Sequence, residues 1–419
     1  MKMLLKLAFR NVFRYRRRTV ITFSAISYGL GLMALGICLY NGVNTHAMDS
    51  IINNQTAHLK ILAPGYFEEK DEVPLEFTID EPQKIKSLLK ENMEIQGIES
   101  RILFQASIIS GMDELPCLGV AIEPEVDPLV FKIKDSITDG SFLEPSEAGI
   151  ILGSGLARDL GLQVGDEIVL RMFLSTEDFI WNALDMEITG IAKTENPTVN
   201  RMTVFIPLSL AQEALSLDKR ITEIAIRIKD KNQLLDVKDS IQRSLAALDT
   251  DYEVVSYKEY ASDFIELMKM RSRVQVLIPL MMILIASLGI VNTMLMAVLE
   301  RTREIGMLAA MGMRKMEVML VFIFEGAIIG LFGSLAACVI GGLGGWYLET
   351  KGFRMAFLGK EITDKLLSFL PMEVFYGDLT AGTLLFTLIL GTVISILASL
   401  YPAYKAVKLD PIQALRHVG

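Results

Sequence analysis

Hydrophobic and polar positions along this chain follow two different rhythms. In four stretches, Thr19 to Tyr40, Val274 to Leu299, Val318 to Leu348 and Leu379 to Tyr404, apolar residues run almost unbroken and charge nearly disappears. At about 1.5 Å of helix per residue, each is long enough to cross a hydrocarbon layer about 30 Å thick. Between the first and second lie more than two hundred residues of ordinary polar mixture. There, alternation marks strands at Ala57 to Ala63, closed by Pro64-Gly65, and at Ser100 to Ser110, Leu118 to Ile122 and Glu167 to Met172. Met186 to Ile191, Val204 to Ile206, Ile221 to Ile228 and Tyr252 to Val255 continue the series. Helical spacing sits among them at Pro82 to Glu91, Gly155 to Leu160, Pro207 to Leu217 and Asn232 to Leu248. The pattern predicts an α-helical membrane protein with four transmembrane helices and a large α+β extracytoplasmic domain inserted between the first and second.

The segments around the spans sharpen this layout. In residues 1–18, apolar positions 4, 5, 8, 9, 12 and 13 oppose Lys2, Lys6, Arg10 and Arg14, so an interfacial amphipathic helix is expected there. A cleaved signal peptide competes, but the apolar run that follows is about 22 residues, against the usual roughly 7 to 15. The first span is expected over 19–41 and the insert over 42–257, with a strand- and turn-rich part at about 142–217. One long helix over 258–299 would leave the membrane as a stalk, bent near Pro279. A charged connection over 300–317, a third span over 318–348, a loop over 349–378, a fourth span over 379–404 and a tail over 405–419 complete the chain. Tyr401, Tyr404, Lys405 and Lys408 form an interface belt, and Asp410-Pro411 suits a helix start.

Charge sets the orientation. Residues 1–18 carry seven Lys or Arg and no acid, the 300–317 connection four basic against three acidic residues, and the tail three against one. The stretch from Asp49 to Arg273 instead holds 40 acidic and 23 basic residues. Basic segments stay inside, so both termini and the 300–317 connection are expected in the cytoplasm and the insert and the 349–378 loop outside. A formal net charge of -9 speaks against a nucleic-acid partner.

Composition agrees: 51% of the 419 residues are hydrophobic and the mean hydropathy is +0.40. Of three cysteines, Cys38 and Cys338 fall in spans, leaving Cys117 alone in the insert, so no internal disulfide and no metal-ligand spacing is available there. No nucleophile and base constellation is visible, and the chain is expected to be non-catalytic. Gly153-Ser154-Gly155 with Gly161 and Gly165 hints at a phosphate loop, but Asp166-Glu167 follow where Lys and Ser or Thr are needed, so turns around a short helix are the better reading. Eleven of the 22 methionines fall between Met268 and Met319. Membrane-facing packing explains them, and a surface for variable greasy cargo is the alternative.

The candidate functional residues cluster around the 300–317 connection. Glu300-Arg301-Thr302-Arg303-Glu304-Ile305-Gly306 interleaves charge with apolar residues continued by Leu308 and Met311, as an amphipathic docking helix does, and Gly312-Met313-Arg314-Lys315 follows. Asn292 and Glu325 are the polar intrusions in the second and third spans. A carboxylate in a span is costly, so Glu325 is either functional or bonded to a neighbouring helix or the charged connection. Gly326/Gly330 and Gly341/Gly345 suggest close helix packing at two depths.

The charged heptad from Glu300, the Gly312 turn, Glu325-Gly326, Pro402-Ala403 and Pro411-Ile412-Gln413-Ala414-Leu415-Arg416 resemble the C-terminal permease module of MacB/FtsX-type ABC transporters. Leu7-Ala8-Phe9-Arg10-Asn11-Val12, Arg16-Arg17-Arg18-Thr19, Gly155-Leu156-Ala157 and Gly165-Asp166 are similar to the first helix and periplasmic core domain of the same superfamily. In length and span number the chain resembles the permeases of the lipoprotein-releasing Lol system. The resemblance implies mechanotransmission: two permease chains, identical or paired, on two cytoplasmic ATPase subunits that bind ATP and Mg2+, with no cofactor on this chain. It further implies that Glu300, Arg301, Arg303, Glu304, Ile305, Gly306, Leu308 and Gly312 form the ATPase-coupling element. Arg301, Arg303 and Glu304 would supply ion pairs, and Ile305, Leu308 and Met311 apolar contacts. The implied cargo is a lipoprotein or similar amphiphile taken from membrane lipids. MacB-type drug or peptide efflux and FtsX-type control of a cell-wall hydrolase are the alternatives.

Overall fold

The computed structural model describes residues 1–90, 92–145, 148–175, 180–247, 250–275, 277–354 and 374–408. The helices are α1 (Lys2–Arg14), α2 (Arg16–Ile51), α3 (Pro82–Leu89), α4 (Asp127–Val130), α5 (Ser154–Leu160), α6 (Pro197–Met202) and α7 (Leu208–Ala214). They continue with α8 (Leu234–Ala246), α9 (Tyr257–Tyr260), α10 (Ser262–Gln275), α11 (Leu277–Glu300), α12 (Thr302–Ala310), α13 (Lys315–Lys351) and α14 (Ala381–Val407). The strands are β1 (Leu59–Leu62), β2 (Ile95–Ser110), β3 (Asp113–Ile122), β4 (Ile137–Gly140), β5 (Gly149–Gly153) and β6 (Glu167–Ser175). After them come β7 (Ile180–Ala192), β8 (Thr203–Pro207), β9 (Glu223–Ile228), β10 (Glu253–Ser256) and the short pair β11 (Phe353–Arg354) and β12 (Val374–Phe375). These elements fall into two compact units, a membrane unit of Met1–Thr45 with the described residues from Leu267 onward, and an insert of His46–Glu266.

In the membrane unit, four helices are long and apolar enough to cross a membrane: Arg16–Thr56, Pro279–Glu300, Lys315–Lys351 and Ala381–Val407. Small residues set how closely they pack. A Cβ on Gly326 would stand 2.6 Å from that of Ser399, one on Gly330 2.3 Å from that of Ser395, and one on Gly341 2.7 Å from that of Ala34. The two glycine spacings therefore serve α13 against α14 and α2 within this chain. Ile26, Leu30, Met33, Ile290, Met294, Ile329 and Ala398 fill the space between.

Several boundaries differ from the sequence-based expectation. The first span does not stop at 41: helix continues to Ile51 because Ala47 and Ile51 remain on a buried stripe beyond the uncharged run. The stalk expected over 258–299 is divided into α9, α10 and α11, with a non-helical residue, Ala261, after α9, and its continuity at residue 276 lies outside the described residues. Pro279 lies within α11. The 300–317 connection is helical only over α12 and then turns at Gly312, which adopts φ +92 and lets Met313 N–H donate to Leu308 O at 3.1 Å. Most of the 349–378 loop and the tail motif from Asp410-Pro411 to Arg416 lie outside the described residues.

The insert is organised by β2, sixteen residues that serve two neighbourhoods. Its first half pairs with β9 in the order β10-β1-β9-β2, all antiparallel. Its second half joins a closed ring, β2-β3-β8-β5-β7-β6 and back to β2, with parallel pairing at β3/β8 and β5/β7. The part expected at about 142–217 supplies four strands of that ring, and the flank supplies the other two. A continuous core of Phe104, Ile108, Ile150, Leu170, Ile188 and Ile206 on the ring and Leu59, Ile61, Ile224 and Ile226 on the flank fills the unit. Cys117 is buried in β3, and burial pushes its thiol up to about 12, so it is not a reactive thiol.

Two buried charge clusters cross the flank sheet. Lys60 Nζ donates to Glu223 Oε2 at 2.6 Å, both fully enclosed, and lies 4.1 Å from the Tyr260 ring centroid. Arg101 bonds Glu99 at 3.1 Å and Asp127 at 2.5 Å while stacking on Phe131. Burial raises the pKa of Glu99 and Asp127 against the opposing pull of Arg101, and burial lowers that of Lys60 against the pull of Glu223. His58 accepts the Ile228 N–H on Nδ1 at 3.1 Å, and burial lowers its pKa to about 4.

Candidate functional site

The candidate residues converge at the basic end of the membrane unit. α1 stops at Tyr15, whose backbone leaves helical geometry, and α2 restarts at Arg16, with Thr19 Oγ1 donating back to Val12 O at 2.8 Å to hold the bend. This bend brings Asn11 to Arg18 beside the start of α12. About 15 Å into α13 from Lys315, Glu325 faces both.

Glu325 is completely enclosed, and each of its oxygens takes a different arginine. Oε1 accepts from Arg18 and Oε2 accepts from Arg301 Nη1 at 3.0 Å. The Arg301 guanidinium carbon lies 3.8 Å from the Tyr15 ring centroid, and its Nη2 reaches Asn11 O at 3.5 Å. Tyr15 OH donates to Glu304 Oε1 at 3.3 Å, and Arg14 pairs with the same oxygen at 3.3 Å from a more exposed position. Three segments far apart in sequence, the α1–α2 bend, the head of α12 and α13, are thus tied through one carboxylate. Two guanidiniums meet one buried acid, and Arg18 Nη1 and Arg301 Nε are enclosed without a hydrogen-bond acceptor among the described residues. Removing one member of such a group costs about 3 to 5 kcal/mol, because it strands buried charge.

The expected coupling residues divide into two sets. Arg301 is 3% exposed and Ile305 6%, so neither is turned outward as expected. Arg301 answers the buried charge of Glu325, and Ile305 packs with Val298, Val318, Phe322, Ala403 and Ala406. Gly306 is also buried, and Leu308 is half-buried. Glu300, Arg303 and Gly312 are exposed, Glu304 is partly so, and Met307 and Met311 supply the outward apolar surface. Glu317 caps α13 by accepting the Arg314 N–H at 2.8 Å. Asn292 lies on an exposed face of α11, away from this cluster's buried core.

For Glu325, the structure realises the bond to the charged connection and adds one to Arg18. Sequence reasoning did not single out Tyr15, Arg14 or Arg18 as site residues. A buried carboxylate demands a cation, and the Arg16-Arg17-Arg18 run at the mouth of the first span was the signal available for Arg18. Nothing in the spacing marks Tyr15.

Four helices long and apolar enough to cross a membrane, a short charged helix clamped at one end and a large β-rich insert are the arrangement a membrane permease needs. Residues 19–244 match the MacB-like periplasmic core domain, and residues 276–411 match the FtsX-like permease C-terminal domain. The chain belongs to the MacB/FtsX-type ABC transporter permeases. It is 24% identical to the lipoprotein-releasing system transmembrane protein LolC of Neisseria meningitidis serogroup B, over 95% of this chain and 94% of that one. It is 25% identical to LolE of Haemophilus influenzae, over 94% of each. The macrolide export ATP-binding/permease protein MacB of Escherichia coli is 22% identical over 98% of this chain and 60% of its own length.

Proposed function

We propose that this chain is the mechanotransmitting permease subunit of a transporter that releases lipoproteins or similar amphiphiles from the inner membrane, driven by a separate cytoplasmic ATPase. The observation that carries the reading is the Arg18–Glu325–Arg301 clamp. It ties the head of α12 to the entry of α2, so a push on α12 becomes a displacement of the first span. Glu300, Arg303, Glu304, Met307, Leu308, Met311 and Gly312 form the side presented to the ATPase groove, while Arg301, Ile305 and Gly306 hold the helix to the permease. The charge asymmetry supports cytoplasmic termini and a cytoplasmic α12, with the insert periplasmic. Two chain crossings between the units within the described residues, at Thr45–His46 and Glu266–Leu267, fall inside helices, which suits transmission of force. An exposed α11 face with Asn292, Leu284 and Leu288 suits a second permease chain, of the same or a paired sequence. The names of the LolC and LolE relatives support the cargo class.

The experiment is lipoprotein release from spheroplasts holding the chain with its ATPase. Arg303→Glu with Met311→Asp is expected to abolish release while the permease remains in the membrane, and undiminished release would remove α12 from the coupling role. The MacB relative, matched along 98% of this chain, favours efflux of a drug or peptide as the second reading. Loss of drug tolerance with lipoprotein release intact would select it.

A further inference from the structure

The α1–α2 bend also opens a groove of about 520 Å3 on the outside of the membrane unit, inside the roughly 300 to 1,000 Å3 range of small-molecule clefts. Phe13, Val20, Phe23, Ile329 and Phe332 make its walls, and Arg16 stands in its lining as the charged group. Phe13, Val20 and Phe332 are about half exposed, so the groove opens to whatever surrounds the helices.

The charges around it are unevenly satisfied. Of the acids at this end, Glu304 is taken by Arg14 and Tyr15, Glu325 by Arg18 and Arg301 and Glu317 by the Arg314 N–H, while Glu300 is exposed at the end of α11. Arg16, in the lining, and Arg17, next to it in sequence, are exposed, and residues 1–18 contain no acid to meet them. An occupant must therefore be apolar along most of its length and anionic at one end. A second copy of this chain fits poorly, because a two-fold contact here would set seven basic residues against their own images. A bilayer phospholipid has both properties.

We propose that this groove seats one acyl chain of an anionic phospholipid from the leaflet that the basic end faces, with the lipid phosphate against Arg16 and Arg17. Each basic residue near an anionic lipid surface strengthens attachment several-fold, so the pair accounts for at least about tenfold preference over a zwitterionic lipid. The bound lipid braces the bend that carries Tyr15 and Arg18, independently of what the permease transports.

The test is native mass spectrometry of the full chain in mild detergent, titrated with phosphatidylglycerol or with phosphatidylcholine of the same acyl chains. One phosphatidylglycerol is expected to be retained where phosphatidylcholine is not. Arg16→Gln with Arg17→Gln, both on the surface, should weaken that retention about tenfold, and Val20→Trp, which fills the groove, should remove it. Inorganic phosphate at millimolar concentration should not displace the lipid. Equal retention of the two lipids, an unchanged double arginine variant, displacement by phosphate alone, or an inter-chain disulfide through Val20→Cys in native membranes would each overturn the proposal.

Discussion

The two units bury charge in opposite balance. In the insert, Arg101 faces two acids, Glu99 and Asp127, and in the membrane unit Glu325 faces two guanidiniums, Arg18 and Arg301. An excess carboxylate can be relieved by a proton, and burial already pushes Glu99 and Asp127 toward holding one. An excess guanidinium cannot be relieved that way, because arginine keeps its proton. The insert cluster is therefore adjustable by pH, whereas the membrane cluster is a fixed charge held by geometry, as suits a part that transmits displacement.

The comparison is broken most forcefully at Glu325. Glu325→Gln leaves two buried guanidiniums without a counter-charge and should cost about 3 to 5 kcal/mol, read as thermal unfolding in detergent. Replacing the whole group, Arg18→Met with Arg301→Met and Glu325→Leu, should recover most of that stability and still leave ATP hydrolysis uncoupled from transport. Lys60→Met is the equivalent cut in the insert. It strands Glu223, whose Oε1 already lacks a partner among the described residues, and should cost about 3 kcal/mol, with Glu223→Met restoring much of it.

Acidification should then separate the units. His58 has a folded pKa of about 4 against an ordinary 6.5, so its neutral form contributes stability that is complete above pH 6.5 and lost as pH falls through 4. Glu99 and Asp127, raised in the fold, act the other way: stability they contribute at low pH is lost as pH rises through their folded values. Melting of the insert can be followed by Trp181 fluorescence in a Trp346→Phe background. His58→Gln should flatten the decline between pH 6.5 and 4, by roughly 5 °C in midpoint. The smallest stability effect belongs to the outer side of α12. Arg303→Ala and Met311→Ala should change unfolding by less than about 0.5 kcal/mol while lowering transport-coupled ATP hydrolysis, which distinguishes a docking face from the clamp behind it.

How much of this was legible depended on whether the information was periodic. Long uncharged runs disclosed four spans, and alternation disclosed β1, β6, β8, β9 and β10 within about three residues, while β2, β3 and β7 start five or six residues earlier than their patterns indicated. β5, Gly149–Gly153, escaped because it is buried on both faces and reads as an unbroken apolar run, as a strand flanked on both sides does. The head of α12 showed two faces in its pattern, but periodicity does not say which one points inward. Arg301 and Ile305 were therefore assigned outward when they point in. The Arg18 to Glu325 contact joins residues 307 apart, and no spacing rule reaches that far. Only the demand of a buried carboxylate for a cation pointed toward it.

The central claim is that α12 and the entry of α2 move as one body because Glu325 locks them. Electron–electron distance measurements between spin labels at positions 17 and 303, in the assembled transporter with and without ATP, test it most directly. The account predicts one narrow distance distribution, unchanged by nucleotide, that broadens in Glu325→Gln. A distance that shifts with ATP in the unaltered clamp, or that stays narrow without Glu325, would contradict it.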